Sequence, residues 1–345
     1  MSDRKIIFEI AAVYTAVIIG AGFATGRELI SFFLRYDKFA IPGLLLSGAL
    51  MVLVGFATLE ICRTKKITSF DGLLNYVAGR YVGGLIKFGA AAFLFVVFAA
   101  MLSATGALGA QLFGLPSFAG SLGMVILCFA AFSFDLRGLV RINTILAPVM
   151  IVGSIALGLY AYFADTVNVF ASTGSIVQYN WAISAVLYAS YNMVAAISIL
   201  SAMSHSIRTS KTAFLGTFLG SGAVTLIALS LALGLSRGFD VVQTYQIPFL
   251  RLVEDYGNIV QWSYVAVLAA AVYTTAISNG YCFYTSTLGK LSAPSWILKA
   301  GMCVAAFVFS QIEFTRIVES IYPAFGLVGL LLAAILVITL VARAD

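Results

Sequence analysis

The sequence predicts an all-α integral membrane protein with ten transmembrane helices. Its 345 residues are 61% hydrophobic and only 10% charged, and the mean hydropathy is +1.03. Soluble domains are about half apolar and a quarter charged, so this chain lacks the polar surface that a soluble fold needs. The charges that remain are divided unevenly between the loops, which indicates a fixed orientation in the bilayer.

Apolar stretches of about 20 residues, the length that crosses the hydrocarbon core, recur along the whole chain. The ten predicted spans are 6–35, 40–61, 81–113, 118–134, 139–163, 180–203, 212–235, 258–288, 294–311 and 316–342. No stretch between them has the composition of a separate soluble domain. We therefore expect a single transmembrane domain over residues 1–345.

The basic residues predict the orientation of these spans. Most of the twenty lysines and arginines, including the 63–66 cluster, fall in loops on the side that carries both termini. Cytoplasmic loops are enriched in lysine and arginine, so both termini are expected in the cytoplasm of a multi-pass protein of the cytoplasmic membrane. The net charge of +6 is thus a topology signal, and the expected partner is the lipid bilayer rather than a nucleic acid.

Catalytic and metal chemistry have little support in the sequence. The four cysteines lie far apart without a CxxC spacing, and His205 is the single histidine. These residues suggest neither a disulfide framework nor a zinc site nor a catalytic triad. We therefore expect a protein that is not an enzyme and has no cofactor.

The first span contains an unusual stretch, "VIIGAGFATGREL" at 17–29, with glycines at Gly20, Gly22 and Gly26 followed by Arg27 and Glu28. Small residues at such spacing can form a helix-packing face. The charged pair that follows, together with a second irregular span, favours a break in the helix instead. Glu28 is also a candidate carrier of a coupling proton, because a buried carboxylate is costly within a membrane.

The second irregular span is "WAISAVLYASYNMVAAISIL" at 181–200, with four polar side chains at mid-membrane depth: Tyr188, Ser190, Tyr191 and Asn192. It is the sixth span and opens the second set of five. Two sets of five spans enter the membrane from opposite sides, which predicts an inverted repeat of 1–163 and 180–345. Helices 1 and 6 are then expected to be broken, leaving backbone groups that a solute and an ion can satisfy.

The stretch "VIIGAGFATGRELISFF" resembles the first-helix signature of the YkvI-type amino acid permeases, in the amino acid–polyamine–organocation superfamily. The resemblance extends over the whole chain and includes "IYPAFG" at 321–326. It implies the five-plus-five fold that these proteins share with sodium-coupled leucine transporters.

The resemblance also implies a Na⁺ site, built from backbone carbonyls of the first span and one carbonyl and two hydroxyls of the eighth. The residues that match are Ala16, Ile19, Ala271, Thr274 and Thr275. The alternative is that the two threonines bond back to their own helix. Phe23 stands where a second sodium site would need an asparagine, and span five has no lysine of the kind found in proton-coupled relatives, so one Na⁺ is favoured.

For the solute, we place a carboxylate on the free amides around Gly22, Phe23 and Ala24, and Gly20 is also expected to bind the solute. An ammonium group would meet carbonyls near Tyr188, and the pocket would be shaped by Tyr188, Tyr191, Asn192 and Tyr273. In the fold, a basic residue after the break pairs with an acid of helix ten as an outer gate. Here that pair is Arg27 with Glu319, with Glu313 as the other acid.

Together these features predict a secondary active transporter that works by alternating access and takes up an amino acid or similar small organic solute with Na⁺. A proton-coupled carrier and a nutrient-sensing receptor subunit of the same fold are the alternatives. A membrane enzyme is disfavoured by the lack of a nucleophile motif, and a channel by the asymmetry of the two expected breaks. The oligomeric state is open.

Overall fold

The computed structural model describes residues 3–133, 136–164, 180–288 and 291–342, and the secondary structure within these ranges is helical throughout. The first span is divided into α1 (Asp3–Ile18), α2 (Ala21–Ala24) and α3 (Arg27–Phe32). The helices that follow are α4 (Ala40–Lys65), α5 (Phe70–Phe113), α6 (Ser117–Ala131), α7 (Leu136–Ala164), α8 (Trp181–Met203), α9 (Ser210–Ser236), α10 (Phe239–Val242), α11 (Pro248–Glu254), α12 (Asn258–Ser286), α13 (Ser295–Phe309), α14 (Phe314–Arg316) and α15 (Tyr322–Val341).

These helices confirm an all-α integral membrane protein and correspond to the ten expected spans. Six helical segments of the described chain are long and apolar enough to cross a membrane. The other spans are carried by the divided first span, by α7 and by two shorter apolar helices, Ser117–Ala131 and Ser295–Phe309. At 1.5 Å per residue, a helix of 15 residues covers about 22 Å, less than the full hydrocarbon thickness.

The break in the first span is present, whereas the break expected in the sixth span is wrong. Helix α8 continues without interruption from Trp181 to Met203. Two of its polar side chains find partners without unwinding the backbone: Ser184 Oγ donates to the carbonyl of Phe32 at 2.8 Å, and Asn192 Nδ2 donates to the carbonyl of Tyr188 at 2.9 Å. Because these polar groups are satisfied in a helix, their cost at membrane depth does not require a break.

Small residues let the helices around the first span approach closely. Helix α1 packs on α9, and α4 packs on α8. In an inverted repeat, span one corresponds to span six and span two to span seven, so these two contacts would be equivalent. Gly220 of α9 lies against the Tyr14 ring of α1, and Thr15 Oγ1 donates to the Gly220 carbonyl at 3.2 Å. This packing is typical of membrane helices. The division into repeats 1–163 and 180–345 stays a prediction.

The segment that joins α9 to α12 folds over one end of the first span. Pro248 occupies the first turn of α11, where its missing N–H costs no hydrogen bond. The amide of Phe249 donates to the Thr25 carbonyl at 3.1 Å. We call residues 239–254 the cover segment, because they lie over the break in the first span.

Candidate functional site

The break in the first span is a short, tightly bonded turn. Helix α1 ends at Ile18, and the amide of Ala24 donates to the carbonyl of Gly20 at 3.1 Å. Thr25 Oγ1 donates to the Gly22 carbonyl at 3.0 Å and accepts the amide of Arg27 at 3.3 Å. Gly26 adopts φ = 79°, a left-handed conformation that favours glycine, and so redirects the chain into α3.

Glu28 points back from α3 into this break. Its side chain packs on Gly22 so closely that a Cβ atom at position 22 would overlap the carboxylate. The hydroxyl of Tyr191, on α8, donates to Glu28 Oε2 at 2.8 Å. Glu28 is buried, with 6% of its surface exposed. The carboxylate therefore occupies the position beside Gly22 where the sequence predicts the carboxylate of a solute.

A cavity of about 40 Å³ lies beside the break. A water molecule needs roughly 10–15 Å³ by this measure, so there is space for only a few waters or a small ion, and an amino acid would require the site to expand. The polar and ionisable residues of its lining are Glu28, Tyr191, Asn192, Thr275, Asn279 and Tyr322. Lysine, arginine and histidine are absent from this lining, which belongs entirely to the described residues.

Arg27, the neighbour of Glu28, forms an ion pair and backbone hydrogen bonds away from the cavity. Its Nη2 lies 2.5 Å from Oε1 of Glu319, and its Nη1 donates to the carbonyls of Gln243 at 2.6 Å and Tyr245 at 3.3 Å. The guanidinium thus ties α3 both to the tenth span and to the cover segment. The pairing of Arg27 with Glu319 matches the pair expected from the resemblance, and its role as a gate stays a prediction.

Glu319 sits in a π-helical segment, Ile317–Ile321, just before α15. Such segments are frequent at functional sites. Arg35 Nη2 also lies 3.3 Å from the same Oε1, and Ser31 Oγ donates to it at 3.4 Å. One carboxylate oxygen therefore gathers three donors from the segment that follows the break. Glu313, the other candidate acid, is exposed and lies at the start of α14.

Of the five residues expected to bind Na⁺, Thr275 lines the cavity. A Cβ atom at Gly20 would lie 3.3 Å from Thr275 Cγ2, so the break and the eighth span meet at these two residues. Thr274 Oγ1 instead donates to the carbonyls of Ala270 at 2.8 Å and Ala271 at 3.1 Å. This matches the alternative in which the hydroxyl bonds its own helix. Ala16 is exposed and Ile19 is buried, and neither lines the cavity.

The expected solute residues are divided between the cavity and the protein core. The cavity is lined by Gly20, Gly22, Tyr191 and Asn192, whereas Phe23, Ala24, Tyr188 and Tyr273 do not line it. Phe23 is fully buried, and the Ala24 amide is already bonded to Gly20.

Tyr188 packs edge-on against Phe33 with ring centroids 4.7 Å apart. Its carbonyl is occupied by Asn192, which removes the carbonyl site proposed for an ammonium group.

Eight residues of the lining were not predicted from the sequence: Val17, Ile18, Phe93, Val97, Met101, Ala195, Asn279 and Tyr322. Asn279 follows Thr275 by one helical turn, and its Nδ2 donates to the Thr275 carbonyl at 2.9 Å. A second polar side chain at i+4 in an apolar span was the signal that could have identified it. Phe93 is one of 27 phenylalanines in an apolar chain, so its position carries no local signal.

Two bacterial proteins are similar in sequence to this chain. No family model matches the sequence. The chain is 28% identical over 328 residues to the uncharacterized membrane protein YkvI of Bacillus subtilis, covering 93% of this chain and 92% of that protein. It is 24% identical over 326 residues to the uncharacterized protein YyaD of the same species, covering 93% of each. These similarities agree with the resemblance to YkvI-type proteins, while membership of the wider superfamily stays a prediction.

Solved structures share the fold. A manganese transporter of Eremococcus coleocola aligns over 95% of this chain and 79% of its own, with a TM-score of 0.64 and 15% identity. MhsT, solved in complex with L-phenylalanine, aligns over 94% and 87%, with a TM-score of 0.63 and 14% identity. A Na⁺-coupled sialic acid symporter aligns over 93% and 75%, with a TM-score of 0.59 and 14% identity. These proteins are membrane transporters rather than enzymes, and at this identity the likeness shows the fold.

Proposed function

We propose that this protein is a secondary active transporter that takes up a small organic solute bearing an amino group, by alternating access and with a coupling cation. The observation that carries the proposal is the cavity at the break of the first span, which is lined by the buried Glu28 carboxylate and lies next to the Arg27 residue that pairs with Glu319. Secondary transporters of inverted-repeat folds bind solute and ion at such a midplane break.

The position of the ion pair supports a gating role. Arg27 and Glu28 are adjacent, so their side chains leave α3 about 100° apart, one to the ion pair and one to the cavity. Movement of α3 therefore changes the closing contacts and the cavity together. If both termini are cytoplasmic, the Arg27 side faces outward, and the conformation described here is closed to the outside.

Na⁺ is the proposed coupling ion. Thr275 and Gly20 meet at the cavity, which supports a Na⁺ site there. After the helices rearrange, this site would also use Ala16, Ile19, Ala271 and Thr274. Backbone carbonyls and hydroxyls are hard oxygen ligands suited to such a cation. The similarity to a Na⁺-coupled symporter and to a protein solved with L-phenylalanine is in line with this proposal.

A proton-coupled carrier is the second candidate, and Glu28 is the observation that favours it. A carboxylate in the cavity, without a basic residue in the lining, can be neutralised by a proton as well as by Na⁺. The same residue would then be both the solute contact and the coupling group.

Uptake into proteoliposomes tests the proposal. Purified full-length protein is reconstituted and given radiolabelled amino acids and amines under an inward Na⁺ gradient, an inward proton gradient or no gradient. Concentrative uptake under one gradient supports a carrier and identifies its ion. Binding without flux under every gradient would contradict transport and favour the receptor alternative.

A further inference from the structure

The aromatic residues beside Glu28 form a continuous wall of the cavity. Phe93, Tyr191 and Tyr322 all line it, with ring centroids 5.8 Å apart for Phe93 and Tyr191, 5.7 Å for Phe93 and Tyr322, and 5.2 Å for Tyr191 and Tyr322. We call these three residues the ring cluster. Aromatic rings attract cations, and grouped rings recognise organic ammonium ions in proteins.

The Glu28 carboxylate has a hydrogen-bond donor but no cationic partner in the cavity. Tyr191 supplies the donor, and the lining contains no basic residue. Arg27, its neighbour in sequence, is directed to Glu319 and to the cover segment. A buried carboxylate without a counter-charge is expensive, so the site gains free energy when a cation arrives.

The same geometry excludes the solute carboxylate from the position expected for it. Glu28 covers Gly22, and a second carboxylate there would meet a like charge at contact distance. The remaining polar groups of the lining, on Asn192, Thr275 and Asn279, are neutral. The cavity can therefore attract only a positively charged group of a solute by electrostatic interaction.

We propose that the site recognises its solute through an organic ammonium group, held by the Glu28 carboxylate and the ring cluster, so that amines lacking a carboxylate are ligands. This inference rests on the proposed transport function and narrows its substrate class. It predicts that the ammonium group is required and that the carboxylate of an amino acid is dispensable.

Matched sets of small molecules test the inference on the unmodified protein. Calorimetric titration of the full-length chain in detergent compares L-alanine, L-leucine and L-phenylalanine with ethylamine, isoamylamine and phenethylamine, and with the N-acetylated amino acids. We expect each amine to bind at least as tightly as its parent amino acid. N-acetylation removes the positive charge, and we expect it to weaken binding by about 30-fold or more. Equal binding of the N-acetylated compounds, or no binding of any amine, would overturn the inference.

Substitutions locate the effect. Glu28→Gln keeps the shape of the side chain and removes its charge, and we expect amine affinity to fall by about 30-fold or more. Glu313→Gln removes an exposed carboxylate elsewhere and should leave affinity unchanged. Tyr322→Leu removes one ring of the cluster without changing the charge and should weaken amine binding by about threefold or more. Retained affinity in a folded Glu28→Gln protein would contradict the assignment.

The results for binding and for flux separate the two proposals. Amines that bind through Glu28 but are not moved under any gradient would support the inference and overturn transport. N-acetylated solutes that are concentrated in vesicles would support transport and overturn the inference.

Discussion

The hydroxyl of Tyr191 donates a 2.8 Å hydrogen bond to Oε2 of Glu28, and this bond joins the continuous sixth span to the broken first span. Through it, the two spans that open the expected repeats share one buried carboxylate at the cavity. A helix that moves relative to its neighbour must break or carry this bond, so the contact links the shape of the cavity to the conformation of α3.

Gly22→Ala tests the position of the Glu28 carboxylate. The new methyl group would overlap Oε1, so the carboxylate must leave the break. We expect amine affinity, measured calorimetrically, to fall about tenfold or more. Gly222→Ala on α9 is the matched control, because a Cβ atom there meets no atom within 4 Å. Unchanged affinity in Gly22→Ala would place the carboxylate elsewhere.

Gly329→Ala tests the close packing of the sixth and tenth spans. A Cβ atom at Gly329 would overlap the Ser190 carbonyl of the continuous α8. Overpacking of this kind costs about 1–3 kcal/mol, so the melting temperature in detergent should fall. Gly301→Ala on α13 meets open space and should not lower it. A Gly329→Ala protein as stable as the parent would mean that α8 and α15 are not packed in this way.

Glu319→Gln tests the gate. Without the carboxylate charge, the buried Arg27 guanidinium keeps only the neutral oxygens of its surroundings as acceptors. Loss of one partner of such a pair costs about 2–5 kcal/mol, which weakens closure on the Arg27 side. We expect the initial rate of proteoliposome uptake to fall about tenfold. Glu313→Gln is the control, and unchanged uptake in an Arg27→Gln, Glu319→Gln double variant would contradict the gate.

Thr275→Ala tests the ion site. Thr275 lines the cavity against Gly20, so loss of its hydroxyl should abolish the thermal stabilisation by Na⁺ relative to choline. Thr285→Ala, at an exposed threonine that bonds its own helix, should keep it. Stabilisation by Na⁺ that survives in Thr275→Ala would remove this residue from the site.

The first break could be predicted from sequence because its causes are local. Gly26 supplies a left-handed residue, and Arg27 and Glu28 follow at once, so a continuous apolar helix was already disfavoured. The sixth span has polar residues of the same kind, but Ser184 and Tyr191 bond to α3 and Asn192 bonds to its own helix. A sequence reveals that a polar residue needs a partner, and it does not reveal whether the partner is a ligand or another side chain.

The direction of Glu28 was the main feature beyond sequence reasoning. Its return to Gly22 follows the left-handed conformation of Gly26, which redirects the chain into α3. Helical periodicity gives no guide across such a turn. For the same reason the sequence placed a solute carboxylate where the protein supplies its own, whereas the pairing of Arg27 with Glu319 came from the resemblance of the first-helix motif.

In a carrier that works by alternating access, the cavity beside the break must open in turn to the two sides of the membrane. Ala195 lines the cavity, so an Ala195→Cys substitution places a thiol there whose labelling reports access to the cavity. Cys282 is replaced by alanine so that it does not contribute to the labelling. Labelling by a membrane-impermeant thiol reagent is measured in right-side-out and inside-out vesicles. We expect labelling from both faces of the membrane, and we expect Glu319→Gln to raise the labelling rate from the outer face. Labelling from one face only, unaffected by Glu319→Gln, would contradict alternating access.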